Sequence, residues 1–258
     1  ELLFLSAVRN RRAITSETIS SMFHTIVAAV PAPLNYFAES NLAGKVIVIV
    51  LFVSSVAAWT VMVWKWLELS RLRGQNRHQK GTLSGIDSLC GVSLSKHPQY
   101  EATLSQVFHA GLAAYHNEMR VFGPPSTPAG RDRCIKNIEN AMSRMIARVS
   151  LVYESQMTTL GSIVTAAPFL GLFGTVWGVM EAFGAVAGGG SATLQSLAPG
   201  VSGALLTTVA ALGVAIPSVV GYNYIVGYIK SMTVELENDA SELAERFETE
   251  IALGEPPA

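Results

Sequence analysis

The chain is short of charge. Of its 258 residues only 14% are Asp, Glu, Lys or Arg, against roughly 25% in an ordinary soluble domain. The 18 basic and 19 acidic side chains cancel to a net charge of −1. Without a basic excess, a dominant nucleic-acid role is disfavoured, since a phosphate backbone asks for a net positive surface. Cysteine is scarce as well. Cys90 and Cys134 have no CxxC or CxxH company, so a zinc motif is unsupported. The low hydrophobicity of a disordered chain is absent too: half the residues are apolar and the mean hydropathy is +0.36.

Catalytic signatures are equally sparse. His109 and His116 share a helix face, but seven residues apart they are too distant for a local metal pair. Ser93-Leu94-Ser95-Lys96 fits an S-x-x-K pattern formally and lacks its companion motifs. The glycine-rich stretch 184–191 has no Gly-Lys-Ser/Thr ending and no cation, so it is not a phosphate loop. No nucleophile–base constellation and no internal repeat is evident. The sequence does not read as an enzyme, and no cofactor or metal is expected.

What is present is concentrated apolarity. Residues 46–64 run for 19 positions without an ionisable group, bracketed by Lys45 and Lys65. As a helix they extend roughly 28 Å, close to the hydrocarbon thickness of a bilayer. Trp59, Trp64 and Trp66 gather at the far end, where an interfacial aromatic belt belongs. Between Arg148 and Lys230 there is no basic residue, and the only carboxylates are Glu154 and Glu181. This stretch is too long for one span, and Gly188-Gly189-Gly190-Ser191 through Pro199-Gly200 carries turn chemistry. Two further helices are expected, at about 155–187 and 201–229. Thirteen of the 22 glycines fall between 149 and 230, as suits membrane helices that approach through small residues. Gly171, Gly174, Gly178 and Gly203 are candidate packing positions, and Pro217 removes a backbone donor and can kink the third helix.

Basic residues set the expected orientation. The segment 65–155 holds 12 of the 18 Lys and Arg, whereas the loop between the second and third spans holds none. The fold class is an all-α integral membrane protein with three transmembrane helices, the second and third extended into the cytoplasm as long helices. The expected divisions are an extracytoplasmic segment 1–44, a first span 45–65, a cytoplasmic region 66–154, a transmembrane hairpin 155–229 and a cytoplasmic acidic tail 230–258. The N-terminus is placed outside and the C-terminus inside, so both cysteines lie on the reducing side and no disulfide is expected. The chain opens on Glu1 with its first Met at 22; residues 1–21 are expected to be an upstream extension or a fragment end, with Met22 as candidate start.

Two amphipathic stripes flank the hairpin. Ile135, Ile138, Met142, Met145, Val149 and Val152 form a heptad-like seam beside Arg131, Arg133, Lys136, Arg144 and Arg148. The seam is expected to run unbroken into the second span. In the tail, Ile229, Met232, Leu236, Leu243, Phe247 and Ile251 make a stripe among acidic faces. The basic and acidic helices are expected to pack as an antiparallel pair; two separately solvated helices are the alternative. A loop is expected at Gly123-Pro124-Pro125-Ser126-Thr127-Pro128.

Within the spans, Thr175, Glu181, Ser202, Thr207 and Thr208 are the polar exceptions. A carboxylate inside a span costs about 2.5–3.5 kcal/mol at the centre, which makes Glu181 a functional candidate. A threonine is cheaper, since it can bond a carbonyl of its own helix. A hairpin turning near 191–192 brings Thr175 level with Thr208 and Glu181 level with Ser202, a polar band able to line a hydrated ion path.

The segment Ala167-Pro-Phe-Leu-Gly-Leu-Phe-Gly-Thr-Val-Trp-Gly-Val-Met-Glu-Ala-Phe183 resembles the second span of the ExbB/TolQ (MotA/TolQ/ExbB) proton-channel proteins. Ala198-Pro-Gly-Val-Ser-Gly-Ala-Leu-Leu-Thr-Thr-Val-Ala-Ala-Leu-Gly-Val-Ala-Ile-Pro-Ser-Val-Val-Gly-Tyr-Asn223 resembles their third. The resemblance is dense over about 157–225; the region 75–130 shows none. It implies a pentamer enclosing the single-span helices of a dimeric ExbD/TolR-like partner that carries a membrane aspartate, with a TonB/TolA-like energy transducer as a further partner. It also implies proton passage past Thr175 and Thr208. Many members carry a glutamate where this chain has Gly203. Either Glu181 takes over that role, or it is an interfacial glutamate near the outer helix end. Six residues from Thr175 is about 240° of helix rotation, so the two point different ways. A non-conducting scaffold is the rival reading. A flagellar-type stator subunit is a further one, although those relatives have four spans.

Overall fold

The structure is a computed structural model that describes residues 37, 40–86, 88–92, 102–187 and 193–253. The expected extension 1–21 with Met22, the 188–191 turn and the 93–96 motif lie outside these residues. Five helices form the described chain: α1 (Leu42–Ser84), α2 (Thr103–Phe122), α3 (Pro128–Tyr153), α4 (Met157–Ala187) and α5 (Leu194–Leu253). Among the described residues there is no strand. Helices α1, α4 and α5 are each long and apolar enough to cross a membrane, which makes this an all-α membrane protein of three spans.

Local chemistry explains the helix ends. Asn41 caps α1, its Oδ1 accepting from the Gly44 N–H at 2.7 Å. Gly123 ends α2 at φ 71°, a backbone state glycine takes without strain. The loop expected at 123–128 runs between α2 and α3. Thr127 caps α3 by accepting from Gly130 N at 3.1 Å, with Pro128 at the first helical position.

The seam of α3 does not run unbroken into the second span. Helix α3 stops at Tyr153, and Gln156 adopts φ 67° before α4 begins at Met157. No glycine or proline marks this break. At the other end of the hairpin, Pro199 and Gly200 lie inside α5 rather than in a turn. Pro199 is in the second turn, where its missing N–H leaves only one carbonyl without its helical donor. From there α5 continues for 60 residues through Pro217 and into the acidic tail.

The chain divides into two compact units, to which α1, α4 and α5 each contribute. The first comprises the described residues up to Val56 together with Ile163–Pro217. Its core is small and aliphatic: Ile47 and Leu51 of α1 meet Ala167 of α4 and Ala211, Val214 and Ala215 of α5. The outer faces carry Phe52, Val53, Phe169, Val176, Leu205, Val209 and Ile216, all exposed. Such continuous apolar surface belongs in lipid or against another protein.

The second unit comprises Ala57–Ser162 and the described residues from Ser218 onward. Its core is larger-grained. Phe108 of α2 stacks on Phe247 of α5 with centroids 6.0 Å apart, and Tyr115 packs beside them. All six stripe residues of the tail are buried, as are Ile138, Met142 and Val149 of the α3 seam; Ile135 and Met145 are half-buried and Val152 is exposed. Helix α3 and the tail lie antiparallel, Ser150 near Thr233 at one end and Glu139 and Glu248 lining a shared groove at the other. Their charges, however, look elsewhere. The tail acids engage α1, Arg73 with Glu235 and Lys80 with both Asp239 (2.6 Å) and Glu242 (2.8 Å). On α3, Arg133 turns to Glu118 of α2 at 2.6 Å.

The tail also closes the end of α1. Arg246 donates to the Leu83 and Ile86 carbonyls at 2.8 and 2.6 Å. The Glu250 carboxylate accepts from the backbone N–H of Leu89 (2.8 Å) and Cys90 (2.9 Å) and from Ser88 Oγ (3.1 Å). Burial pushes Glu250 upward, but these donors outweigh it and hold the carboxyl below its ordinary value.

Candidate functional site

Helices α4 and α5 approach closely because one side of α4 is glycine. A Cβ on Gly174 would stand 2.7 Å from Thr207 Cβ, and one on Gly178 would stand 2.6 Å from Ala204 Cβ. A Cβ on Gly171 would meet Thr208 Cα at 3.1 Å. Closeness of this kind is what van der Waals packing needs where lipid supplies no hydrophobic drive. It also fixes the register: Gly174 lies opposite Thr207 and Gly178 opposite Ala204, two residues and one residue from the alignment a turn at 191–192 gives.

The approach brings two hydroxyls onto one carbonyl. Thr207 Oγ1 donates to Gly171 O (3.1 Å) and to Ala204 O (2.7 Å), and Thr208 Oγ1 donates to the same Gly171 O at 3.0 Å. Thr207 is fully buried, a packing knob over Gly174. Thr208 is half-buried. Thr175, also half-buried, turns its hydroxyl back to Leu172 O at 2.8 Å. Thr207 and Thr208 thus share an acceptor, whereas Thr175 is satisfied within α4. Ser202 is half-buried on α5.

Glu181 belongs to a different contact. Its Oε2 accepts from Asn41 Nδ2 at 2.5 Å. The same Asn41 caps α1 with its Oδ1, so the carboxylate is tied to the start of the first span through one amide. Beside it, a Cβ on Gly203 would fall 2.9 Å from Ser40 Cβ. Ser40 thus closes the space over Gly203. The pair Ser40-Asn41 is absent from the polar band read off the sequence. A capping residue immediately before an apolar run was the available signal.

Of the other candidates, Pro217 lies within α5 next to fully buried Ser218. Among the described residues no group of His, Cys, Asp or Glu is arranged to hold a metal. The site offers hydroxyl oxygens, one carboxylate and backbone carbonyls between apolar helices, groups suited to solvating a small cation.

Comparison with known proteins agrees in kind. The profile of the MotA/TolQ/ExbB proton channel family matches residues 100–238. A biopolymer transport protein ExbB of Neisseria meningitidis serogroup A is 31% identical over 205 residues, which cover 77% of this chain and 89% of the relative. The Tol-Pal system protein TolQ of Haemophilus influenzae is 28% identical over 230 residues, 87% of this chain and 96% of the relative. The TolQ of Pseudomonas aeruginosa is 28% identical over 188 residues, 72% and 79% respectively.

Proposed function

The chain belongs to the MotA/TolQ/ExbB proton channel family, and from that premise we propose that it is the inner-membrane channel subunit of a motor coupling proton motive force to work on the cell envelope. Import, outer-membrane maintenance and gliding are the kinds of work such a motor serves. Its N-terminus faces the periplasm and its C-terminus the cytoplasm. Five copies enclose the single-span helices of an ExbD/TolR-like dimer, whose membrane aspartate carries the proton, and a TonB/TolA-like transducer receives the force.

The observation that best supports this reading is the α4–α5 contact, where Thr207 and Thr208 converge on Gly171 O between otherwise apolar helices. In this reading Thr175 and Thr208 wall a hydrated path. The chain has no third-span carboxylate at Gly203, so the partner's aspartate is the principal titrating group. Glu181 and Ser202 stand at the outer entrance.

A scaffold role has one observation in its favour: Thr175 and Thr207 each satisfy a carbonyl of their own helix. Proton flux separates the two. Reconstituted with its partner, the Thr208→Val protein should lose most of its flux while assembling normally, and Thr175→Val should behave alike. Wild-type flux in both would leave only the scaffold. Normal flux in Glu181→Gln would remove Glu181 from the path.

A further inference from the structure

Between Arg148 and Lys230 the chain holds two carboxylates. Glu181 is engaged by Asn41. The other, Glu154, sits in the turn that separates α3 from α4. That turn is gripped from α1 by Lys65, whose fully shielded ammonium donates to Val152 O (3.2 Å) and Ser155 Oγ (3.1 Å) and pairs with Glu68 at 2.9 Å. On its α5 side the turn borders a pocket of about 460 Å³, lined among others by Ser150, Glu154 and Thr158 on one side and Tyr222, Lys230 and Thr233 on the other. Among the described residues neither Glu154 nor Lys230 is in an ion pair. The pocket's volume has room for on the order of ten water molecules.

We propose that this pocket is the hydrated cytoplasmic vestibule of the ion path and that Glu154 is its proton-exchanging group. A hydronium arriving in the pocket gives its proton to the Glu154 carboxylate and becomes water; the carboxylic acid then releases that proton to bulk water. Among charged and titratable groups, Lys230 and Tyr222 of α5 line the same pocket, Lys65, paired with Glu68, holds the turn from α1, and Tyr153 precedes Glu154 on α3; the first turn of α4, Met157 to Leu160, contributes none. This inference rests on the proton-channel reading and its topology.

The test uses the full chain with its membrane partner in liposomes, a potassium-diffusion potential and a pH dye. Glu154→Gln should lower flux by about tenfold or more and flatten its dependence on the pH of the cytoplasmic face, while Glu154→Asp restores both. Flux and pH profile unchanged in Glu154→Gln, with Thr208→Val impaired, would overturn the vestibule and leave the channel reading standing. Unchanged flux in Thr208→Val would instead strike the channel reading itself. A second measurement does not depend on Glu154→Gln assembling. Thr158→Cys should be labelled rapidly by a membrane-impermeant maleimide added from the cytoplasmic side, and failure to label overturns the proposal. The native thiols give little background, since both are buried, and burial pushes Cys90 up to about 12 and Cys134 up to about 11.

Discussion

The two compact units hold themselves together by opposite means. In the first, glycine and alanine let α4 and α5 nearly touch, and hydroxyls are spent on backbone carbonyls. In the second, aromatic rings fill the interior while arginines, lysines and carboxylates tie α1 to the tail. Helices α1 and α5 serve in both, so the contrast does not come from the element but from what surrounds it. A charge in hydrocarbon costs several times what a surface ion pair returns. Small residues give an apolar unit close contact without that penalty.

The comparison breaks most readily at Gly174. Gly174→Leu places a branched side chain where a single Cβ already collides with Thr207. Overpacking of about 3 kcal/mol should lower the melting temperature in detergent by about 10 °C. The second unit's equivalent is Glu250. Glu250→Gln takes the charge from a buried acceptor of two backbone N–H groups and should cost about 2 kcal/mol, read by the same melt. Because the folded-state value of Glu250 is lowered, its contribution is complete above the ordinary carboxylate value and fades as pH falls through the acid range. The glutamine variant should therefore lose less stability on acidification than the parent.

Smaller effects sharpen the contrast. Thr207→Val keeps the shape over Gly174 and removes the one hydroxyl proton that Gly171 O and Ala204 O share; a loss of about 1 kcal/mol is expected. Arg73→Met should cost less still, about 0.5 kcal/mol, because its pair with Glu235 is partly solvated. That cost should shrink further at high salt. Raising salt should leave the Thr207→Val penalty unchanged, and equal salt sensitivity of the two would refute the distinction drawn between the units.

Much of this was legible in the sequence because it follows from where charge is missing. The three spans and the six buried tail positions come from hydropathy and period alone, and the hairpin register, read from an expected turn at 191–192, lies one to two residues away. The residues that escaped share a different character. The turn at 154–156 contains no helix breaker, and Gln156 is held at positive φ in a turn that Lys65 grips from 90 residues away. The tail acids were expected against the basic helix α3; they found Arg73 and Lys80 instead, since long flexible side chains pair with whatever cation packing brings nearest. At the candidate site the hydroxyls were legible as residue types, but their common acceptor was not. A carbonyl has no signature in a sequence. Asn41 was readable as a cap, yet its second bond, to Glu181, depends on two segments 140 residues apart.

The hydroxyl protons of the hairpin carry one more implication. Thr175 and Thr208 both donate inward, to Leu172 O and Gly171 O. A hydroxyl has a single proton to give, so the side of each oxygen turned away from the backbone has only lone pairs. Water, ammonium or hydronium can donate to such a wall; chloride finds nothing there to receive. In the proposed path, the sign of the ion admitted follows from where these two protons point.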